Sequence, residues 1–284
     1  MKRVVIITNL HKDNGISVTS SVAARLLSVG ITPYCALDDV RLPDGVLKYS
    51  AFPADAEAIL VVGGDGSVID GSVIDASALA IEHGIPLIAV NLGKVGYLAE
   101  IEPSDLSPLD RLANDEYSIE HKMLLTVRKD GVSLEPLAVN DVVISHGGHL
   151  GIAQIRVSDS HGNTLGYRSD GVIISTPQGS TAYSLSAGGP ILSHRVDGLV
   201  LSPVCPHSFF NRSVIFAADE HLGVTNVGEG ELNISIDGRC TATLASGESC
   251  EVLVAEKTFD MITLSENSMF RNLFKKMRIM EDID

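Results

Sequence analysis

Two stretches carry residues whose types and spacing could do chemistry. The first is Val61-Val62-Gly63-Gly64-Asp65-Gly66-Ser67. Glycines in such a turn let the backbone reach unusual dihedrals and let a ligand approach the main chain. Free N–H groups at a following helix start suit phosphate. Asp65 is the odd member, because a lone carboxylate repels phosphate. Its chemistry is that of a proton acceptor or an indirect magnesium anchor. A plainer reading makes it the N-cap of a strand-to-helix turn.

The second stretch is Arg168-Ser169-Asp170-Gly171, a short apolar run, then Thr176-Pro177-Gln178-Gly179-Ser180-Thr181-Ala182-Tyr183-Ser184-Leu185-Ser186-Ala187-Gly188-Gly189-Pro190. It is too polar and Gly-rich for a core and too dense in hydroxyls for a plain loop. Backbone N–H groups, hydroxyls, one aromatic and one acid suit a nucleotide with ribose hydroxyls. Asn140-Asp141 opens another apolar run and, taken alone, reads as a strand-entry turn.

These residues need elements to hold them. Ala58 to Val62 is apolar and too short for a helix, so it reads as a buried strand. A helical pattern follows, with Val68, Ile69, Val73 and Ile74 apolar, ending near His83 with Gly84 as the stop. The tandem Gly66-Ser67-Val68-Ile69-Asp70 and Gly71-Ser72-Val73-Ile74-Asp75 is too short for a repeat unit. Upstream, Val4 to Asn9 is a strand, and Val18, Val22, Leu26 and Val29 share one helical face before Gly30. Ile31 to Ala36 and Pro86 to Val90 complete a β-α-β, β-α-β rhythm. That rhythm predicts a parallel sheet with helices on both faces. The loop Asn91 to Glu100 leaves the same carboxyl edge; Lys94 reads equally as a phosphate contact or a surface lysine, and Tyr97 as a base-stacking ring or a partly buried tyrosine.

Beyond Pro103 the rhythm changes. A short helix from Leu106 to about Asn114 leads into strands with no long helix between them. They are expected at Met123 to Lys129, Val132 to Ala138, Val139 to Ser145, Ile152 to Ser158, Val172 to Ser175, Ser213 to Phe216, Leu232 to Ile236 and Ser249 to Ala255. Asp130-Gly131 is a favoured hairpin turn, and Asp237-Gly238 is turn material. Phe270, Leu273, Phe274 and Met277 mark a short amphipathic C-terminal helix that packs back on the first domain. The expected division is an α/β domain over 1–103 joined by 259–284, and a β-rich, sandwich-like domain over 104–258.

Composition bounds the function. A net charge of −15 argues against sequence-independent nucleic-acid binding, which needs a basic face. The apolar run after Lys2-Arg3 is too short for a signal peptide, and no run approaches the roughly 18 to 20 residues of a membrane span. Cys35, Cys205, Cys240 and Cys250 lack metal-ligand spacing and are expected to be buried free thiols of a cytoplasmic protein.

The sequence resembles the NAD kinase family over nearly its whole length. Gly63 to Ser67, Asn91 to Tyr97, Asn140-Asp141 and Ser169 to Pro190 carry the resemblance in order. Pro203 to Ser208 with Asn211-Arg212 looks like a fifth block. The Gly63 to Ser67 block is shared with phosphofructokinases and with lipid and sphingoid kinases; the Ser169 to Pro190 block is not.

The resemblance implies magnesium-dependent transfer of the terminal phosphoryl of ATP to the 2′-hydroxyl of NAD's adenosine ribose. Asp65 would accept the proton, with Gly66 beside it on the NAD. Gly63, Gly64, Gly66 and Ser67 would handle phosphates, and Asn140 and Asp141 the ribose hydroxyls. Arg168, Asp170, Thr181, Ala182, Tyr183, Ser186 and Arg239 would complete the NAD site. Magnesium, or another divalent cation, would be held mainly through phosphates, with no protein ligand. Family resemblance also implies a homodimer or homotetramer. Four residues depart from the family pattern: Ser67 for Thr, Asp141 for Glu, Gln178 for a small hydroxyl residue, and Arg239 for Gln or His. The β-rich half argues against a phosphofructokinase, and the hydroxyl-rich block against an apolar lipid pocket. A catalytically silent dinucleotide sensor is the non-enzyme alternative.

Overall fold

The computed structural model describes residues 1–13, 16–37, 39–64, 73–92, 98–147, 151–207 and 209–264. Asp65, Gly66, Ser67, the tandem pentapeptides up to Ser72, Lys94, Tyr97 and the C-terminal amphipathic stretch lie outside the described residues. The chain forms two compact units: Met1–His121 rejoined by the chain from Phe259, and Lys122–Thr258. The chain passes between them at His121, later than Pro103, because a strand of the first sheet follows the short helix.

In the first unit the elements run β1 (Arg3–Thr8), α1 (Ser17–Ser28), β2 (Thr32–Cys35), β3 (Leu47–Lys48), β4 (Ala58–Gly63), α2 (Val73–His83), β5 (Leu87–Asn91), α3 (Asp110–Ala113) and β6 (Ser118–Lys122). The second unit holds β7 (Leu125–Lys129), β8 (Val132–Ala138), β9 (Asp141–His146), β10 (Ala153–Ser158), β11 (Thr164–Ser169), β12 (Gly171–Ser175), α4 (Tyr183–Ser186), β13 (Gly198–Val204), β14 (Val214–Ala217), β15 (Leu222–Asn226), β16 (Leu232–Ile236), β17 (Arg239–Leu244) and β18 (Ser249–Val254). The chain then returns to the first sheet as β19 (Phe259–Thr263).

The first sheet has the order β3-β2-β1-β4-β5-β19-β6, parallel from β3 through β19. β4 is buried at every position, as a central parallel strand must be. The chain steps from β1 to β2 in one direction and from β4 to β5 in the other. With right-handed crossovers this puts α1 and α2 on opposite faces. The switch point lies between β1 and β4, where open α/β sheets bind ligands beyond the strand carboxyl ends. α1 packs Val22, Ala23 and Leu26 into the core and stops at Gly30, whose φ of +83° suits a C-terminal glycine. The return strand is tied in locally: the Leu264 N–H donates to the Glu100 carboxylate at 2.8 Å, and the Arg111 guanidinium donates to the Leu264 carbonyl.

The second unit is a sandwich of two antiparallel sheets, β11-β10-β15-β18-β7-β8 and β14-β13-β12-β9-β16-β17. Alternate residues from both fill one core, among them Val127, Ile155, Val224 and Val252 from the first and Val142, Ile144, Ile174, Leu201 and Ile234 from the second. The expected hairpin is present: Asp130 and Gly131 have φ of 53° and 76°, the twist that joins β7 to β8 tightly. Among the described residues no helix is long and apolar enough to cross a membrane.

The cysteine expectation needs correction. Cys35 and Cys250 are buried, and burial pushes the Cys250 thiol up to about 12. Cys205 and Cys240 are exposed, because one sits in the loop after β13 at a φ of 45° and the other on the edge strand β17.

Candidate functional site

In the first unit the candidate residues gather at the switch-point edge. Gly63 ends β4, and Gly64 accepts the Val73 N–H at 3.2 Å, linking the strand exit to the start of α2. Beside them, Asn9 leaves β1. Its N–H donates to the Val62 carbonyl at 2.9 Å, and its side-chain oxygen accepts the N–H groups of His11 and Lys12 at 3.1 Å each. Asp13 then caps α1 from outside, accepting the Thr19 N–H at 2.8 Å and the Thr19 hydroxyl at 2.6 Å. In sequence Asn9 reads only as a strand end. An Asn immediately after the first apolar strand of a doubly wound sheet was the available signal.

In the second unit, taken by itself, the candidate residues gather at a corner at one end of the β14-to-β17 sheet. Core residues Val142, Ile144, Ile174 and Leu201 face inward, so the alternating Asp141, Ser175 and Ser202 lie on the opposite face. The 176–192 segment folds over that face, leaving Ser175, Thr176, Ser180, Ser184 and Ser202 fully buried. The hydroxyls of Thr176, Ser180, Ser184 and Ser202 therefore hold the segment, so this stretch is not simply a row of free donors, while the Ser175 hydroxyl has no partner among the described residues. The Thr176 hydroxyl donates to the Val139 carbonyl at 2.9 Å and accepts the Gly179 N–H at 2.9 Å. Ser180 donates to the Pro177 carbonyl at 2.5 Å and accepts the Leu192 N–H at 3.0 Å. Ser184 and Ser202 share a bond of 3.0 Å, and Ser202 and Ser213 one of 2.9 Å.

Asp141 and Tyr183 meet at this corner beside Asn140, and Arg239 acts electrostatically on the neighbouring Asp237. Asp141 is 5% exposed, and its carboxylate accepts the backbone N–H of Tyr183. Tyr183 is 46% exposed, and Ser186 is also open to solvent. Thr181 donates to the Gln178 carbonyl at 3.1 Å, and Ala182 follows at the entry to α4. Arg168 and Asp170 are not at this corner. They stand at the other end of β12, ~13 Å along the strand. There the Asp170 carboxylate is 4.0 Å from Nε2 of His146.

In sequence Asp237 reads only as part of a turn. It does occupy the β16–β17 turn, with φ of 47° before Gly238 at 82°. Its carboxylate, however, is buried and accepts three consecutive main-chain N–H groups, from Val139, Asn140 and Asp141, at 2.7, 2.8 and 3.1 Å. No local sequence signal marks a partner lying so far along the chain.

Burial raises the carboxyl pKa of Asp141 to about 7, with the neighbouring Asp237 adding to the rise. Burial raises Asp237 too, but its three N–H donors and Arg239 pull it back, so the pair's proton resides on Asp141. An acid with a raised native pKa stabilises the fold fully below its unfolded value and loses that contribution as pH rises through the native value. Asp141 should therefore cost the protein about 2–3 kcal/mol between about pH 5 and about pH 7.5. Urea unfolding at the two pH values checks this: Asp141→Asn should lose less stability on raising the pH than its parent. Equal losses would place the proton elsewhere.

Comparison with known proteins agrees with this architecture. The ATP-NAD kinase N-terminal domain model matches residues 48–117, and the ATP-NAD kinase C-terminal domain model matches residues 105–264. An NAD kinase of Caldanaerobacter subterraneus subsp. tengcongensis is 36% identical over 250 residues, 84% of this chain and 86% of that one. One from Agathobacter rectalis is 33% identical over 285 residues, 98% of this chain and 99% of that one. The fold is similar to a crystal structure of yeast NADH kinase complexed with NADH (TM-score 0.83, 19% identity, covering 100% of this chain and 89% of that one). It is also similar to an NAD kinase from Archaeoglobus fulgidus in complex with ATP (TM-score 0.69, 20% identity, 98% and 99%). A doubly wound sheet followed by a β-sandwich is thus the architecture of a class of nucleotide kinases. The chain belongs to the NAD kinase family.

Proposed function

We propose that this chain transfers the terminal phosphoryl group of ATP to the 2′-hydroxyl of the adenosine ribose of NAD, with Asp65 as proton acceptor. The observation that carries the reading is the rigid Asn140–Asp141 corner beneath the Tyr183 turn, in a chain of this family. The Asn140 side chain makes no hydrogen bond with any described residue, although its backbone is pinned on both sides. A positioned, unspent amide suits a ribose hydroxyl. Asp141, a methylene shorter than Glu and already bonded to Tyr183, reaches the ribose through water or at longer range.

Roles follow from chemistry. Phosphoryl transfer needs alignment and charge neutralisation more than covalent help. Gly63, Gly64, Gly66 and Ser67 present main-chain donors to the phosphates. A divalent cation accompanying ATP would neutralise phosphate charge and would be held by phosphate oxygens and water rather than by residues of this chain. Asp65 orients the hydroxyl and takes its proton late, which suits a weak base in a loose transition state. Tyr183, with Thr181, Ala182 and Ser186, receives a base. Arg168 and Asp170 lie far enough along the sheet to serve the other end of an extended dinucleotide, and Arg239 supplies positive charge. The working form is a cytoplasmic homodimer or homotetramer. A relative complexed with NADH and another with ATP support both substrate classes.

A side-by-side assay with NAD, fructose 6-phosphate and a diacylglycerol as acceptors tests the specificity. NAD alone should be turned over, and comparable use of a sugar phosphate or lipid would overturn it. Tyr183→Ala should raise KM for NAD by the equivalent of roughly 1 to 3 kcal/mol, the scale of aromatic–base stacking, with less effect on KM for ATP. An unchanged NAD constant in a folded variant would remove Tyr183 from the site.

A further inference from the structure

We infer that Asp237 is a positioning residue for the dinucleotide, acting through the main chain of Val139, Asn140 and Asp141. The inference rests on the NAD-binding reading above. One carboxylate oxygen of Asp237 takes the Val139 N–H, and the other takes those of Asn140 and Asp141. The Asp237 N–H returns a bond to the Asp141 carbonyl at 3.0 Å, so the clamp is reciprocal. From the other side, Thr176 holds the two remaining carbonyls. Its N–H and hydroxyl reach Asn140 at 2.9 and 3.3 Å, and its hydroxyl also donates to Val139. Every main-chain N–H and C=O group of the corner is thus committed inward. Only the side chains of Asn140 and Asp141 remain to meet a ligand, and their direction is set by this clamp.

An ordinary strand-entry turn needs no such arrangement. Three successive N–H groups converging on an anion form a nest, here filled by the protein's own carboxylate. A neutral isostere cannot reproduce it. In Asp237→Asn one oxygen still accepts, but the new NH2 group confronts an N–H donor, so the corner must turn.

The test uses the full-length protein. NAD and ATP affinities are measured by calorimetry, kcat at saturating NAD by initial rates, and amide exchange at Val139 to Asp141 by mass spectrometry. Asp237→Asn should weaken NAD binding at least about tenfold, the scale of losing one charge-assisted bond at a rigid site. ATP affinity should stay within about twofold and kcat within about threefold, since nothing the clamp holds performs the transfer. Exchange at the three amides should speed up. Thr176→Val, which strips the opposite side of the clamp, should repeat the pattern, and Thr176→Ser should restore it. Faster exchange with unchanged NAD affinity would make the clamp purely structural and overturn the inference, as would equal losses for NAD and ATP. If Asp237→Asn does not fold, Thr176→Val decides by the same criteria. A parent protein that binds no NAD would overturn the functional reading itself and this inference with it, and the parent alone reveals that case.

Discussion

Asp65→Asn is expected to lower turnover by a factor on the order of 10²–10⁴, the usual contribution of a positioned acid or base. In sequence it follows two residues after β4, whose carboxyl end lies beside the switch point of a doubly wound sheet, where such folds bind ligands. A carboxylate in that place repels ATP, so it belongs there only if the transition state needs it. The amide keeps the shape and removes both charge and basicity. NAD affinity should change little, because the amide can still bond a ribose hydroxyl, and ATP should bind as well or more tightly as repulsion disappears. Initial rates together with NAD and ATP affinities on the same folded variant make the check. Near-normal turnover would refute the catalytic role. Lost NAD affinity with normal turnover at saturation would make Asp65 a binding residue, and collapse of the fold would make it a helix cap.

The second large effect is expected at Gly179. A Cβ there would lie 1.9 Å from the Asn140 carbonyl oxygen, 2.4 Å from its carbon and 2.7 Å from its Cα. All three are backbone atoms, and the same carbonyl is already held by Thr176, so no flexible side chain can yield. The φ of Gly179 is not in the left-handed region, so the requirement is for space alone. Gly179→Ala must prise the 176–179 turn from the Asn140–Asp141 corner. The cost should be about 3 kcal/mol, at the upper end for overpacking, with a fall in Tm of roughly 6–12 °C. NAD affinity should drop more than about tenfold while ATP affinity is retained, because the Gly63 end of β4 belongs to the other unit. Calorimetric melting and two titrations check this. Parent-like melting with parent-like NAD binding would mean that the close approach is absent in solution.

Legibility differs by element for physical reasons. β4 announced itself as a continuous apolar run, because a central parallel strand is buried on both faces. The β7–β8 hairpin was legible from Asp130-Gly131, since that turn requires positive φ. β11 alternates in burial but has only Leu165 and Tyr167 as apolar positions around Gly166, and β17, an edge strand opening on Arg239-Cys240-Thr241, carries little alternation, so neither is legible as a strand. β13 was hidden by Pro203, which reads as a strand breaker. β19 pairs with a strand far back in the chain, so nothing local assigns it to the first sheet. At the site, Asn140, Asp141 and Tyr183 were legible as a polar constellation, but the division of labour was not. Composition cannot say that Thr176, Ser180 and Ser184 are spent on the fold. Nor can it say that Asp237, 97 residues from Asn140, supplies the anion that the corner is built around.

The account's central claim is a single group transfer, and its product tests it most directly. Purified protein is incubated with ATP, magnesium and NAD, and the mixture is analysed for NADP with a dehydrogenase that accepts only the 2′-phosphorylated dinucleotide. The account predicts that NADP accumulates in step with ADP, and that Asp65→Asn at equal concentration forms it far more slowly. Tight NAD and ATP binding with no NADP formed would contradict the account and leave a dinucleotide sensor in its place.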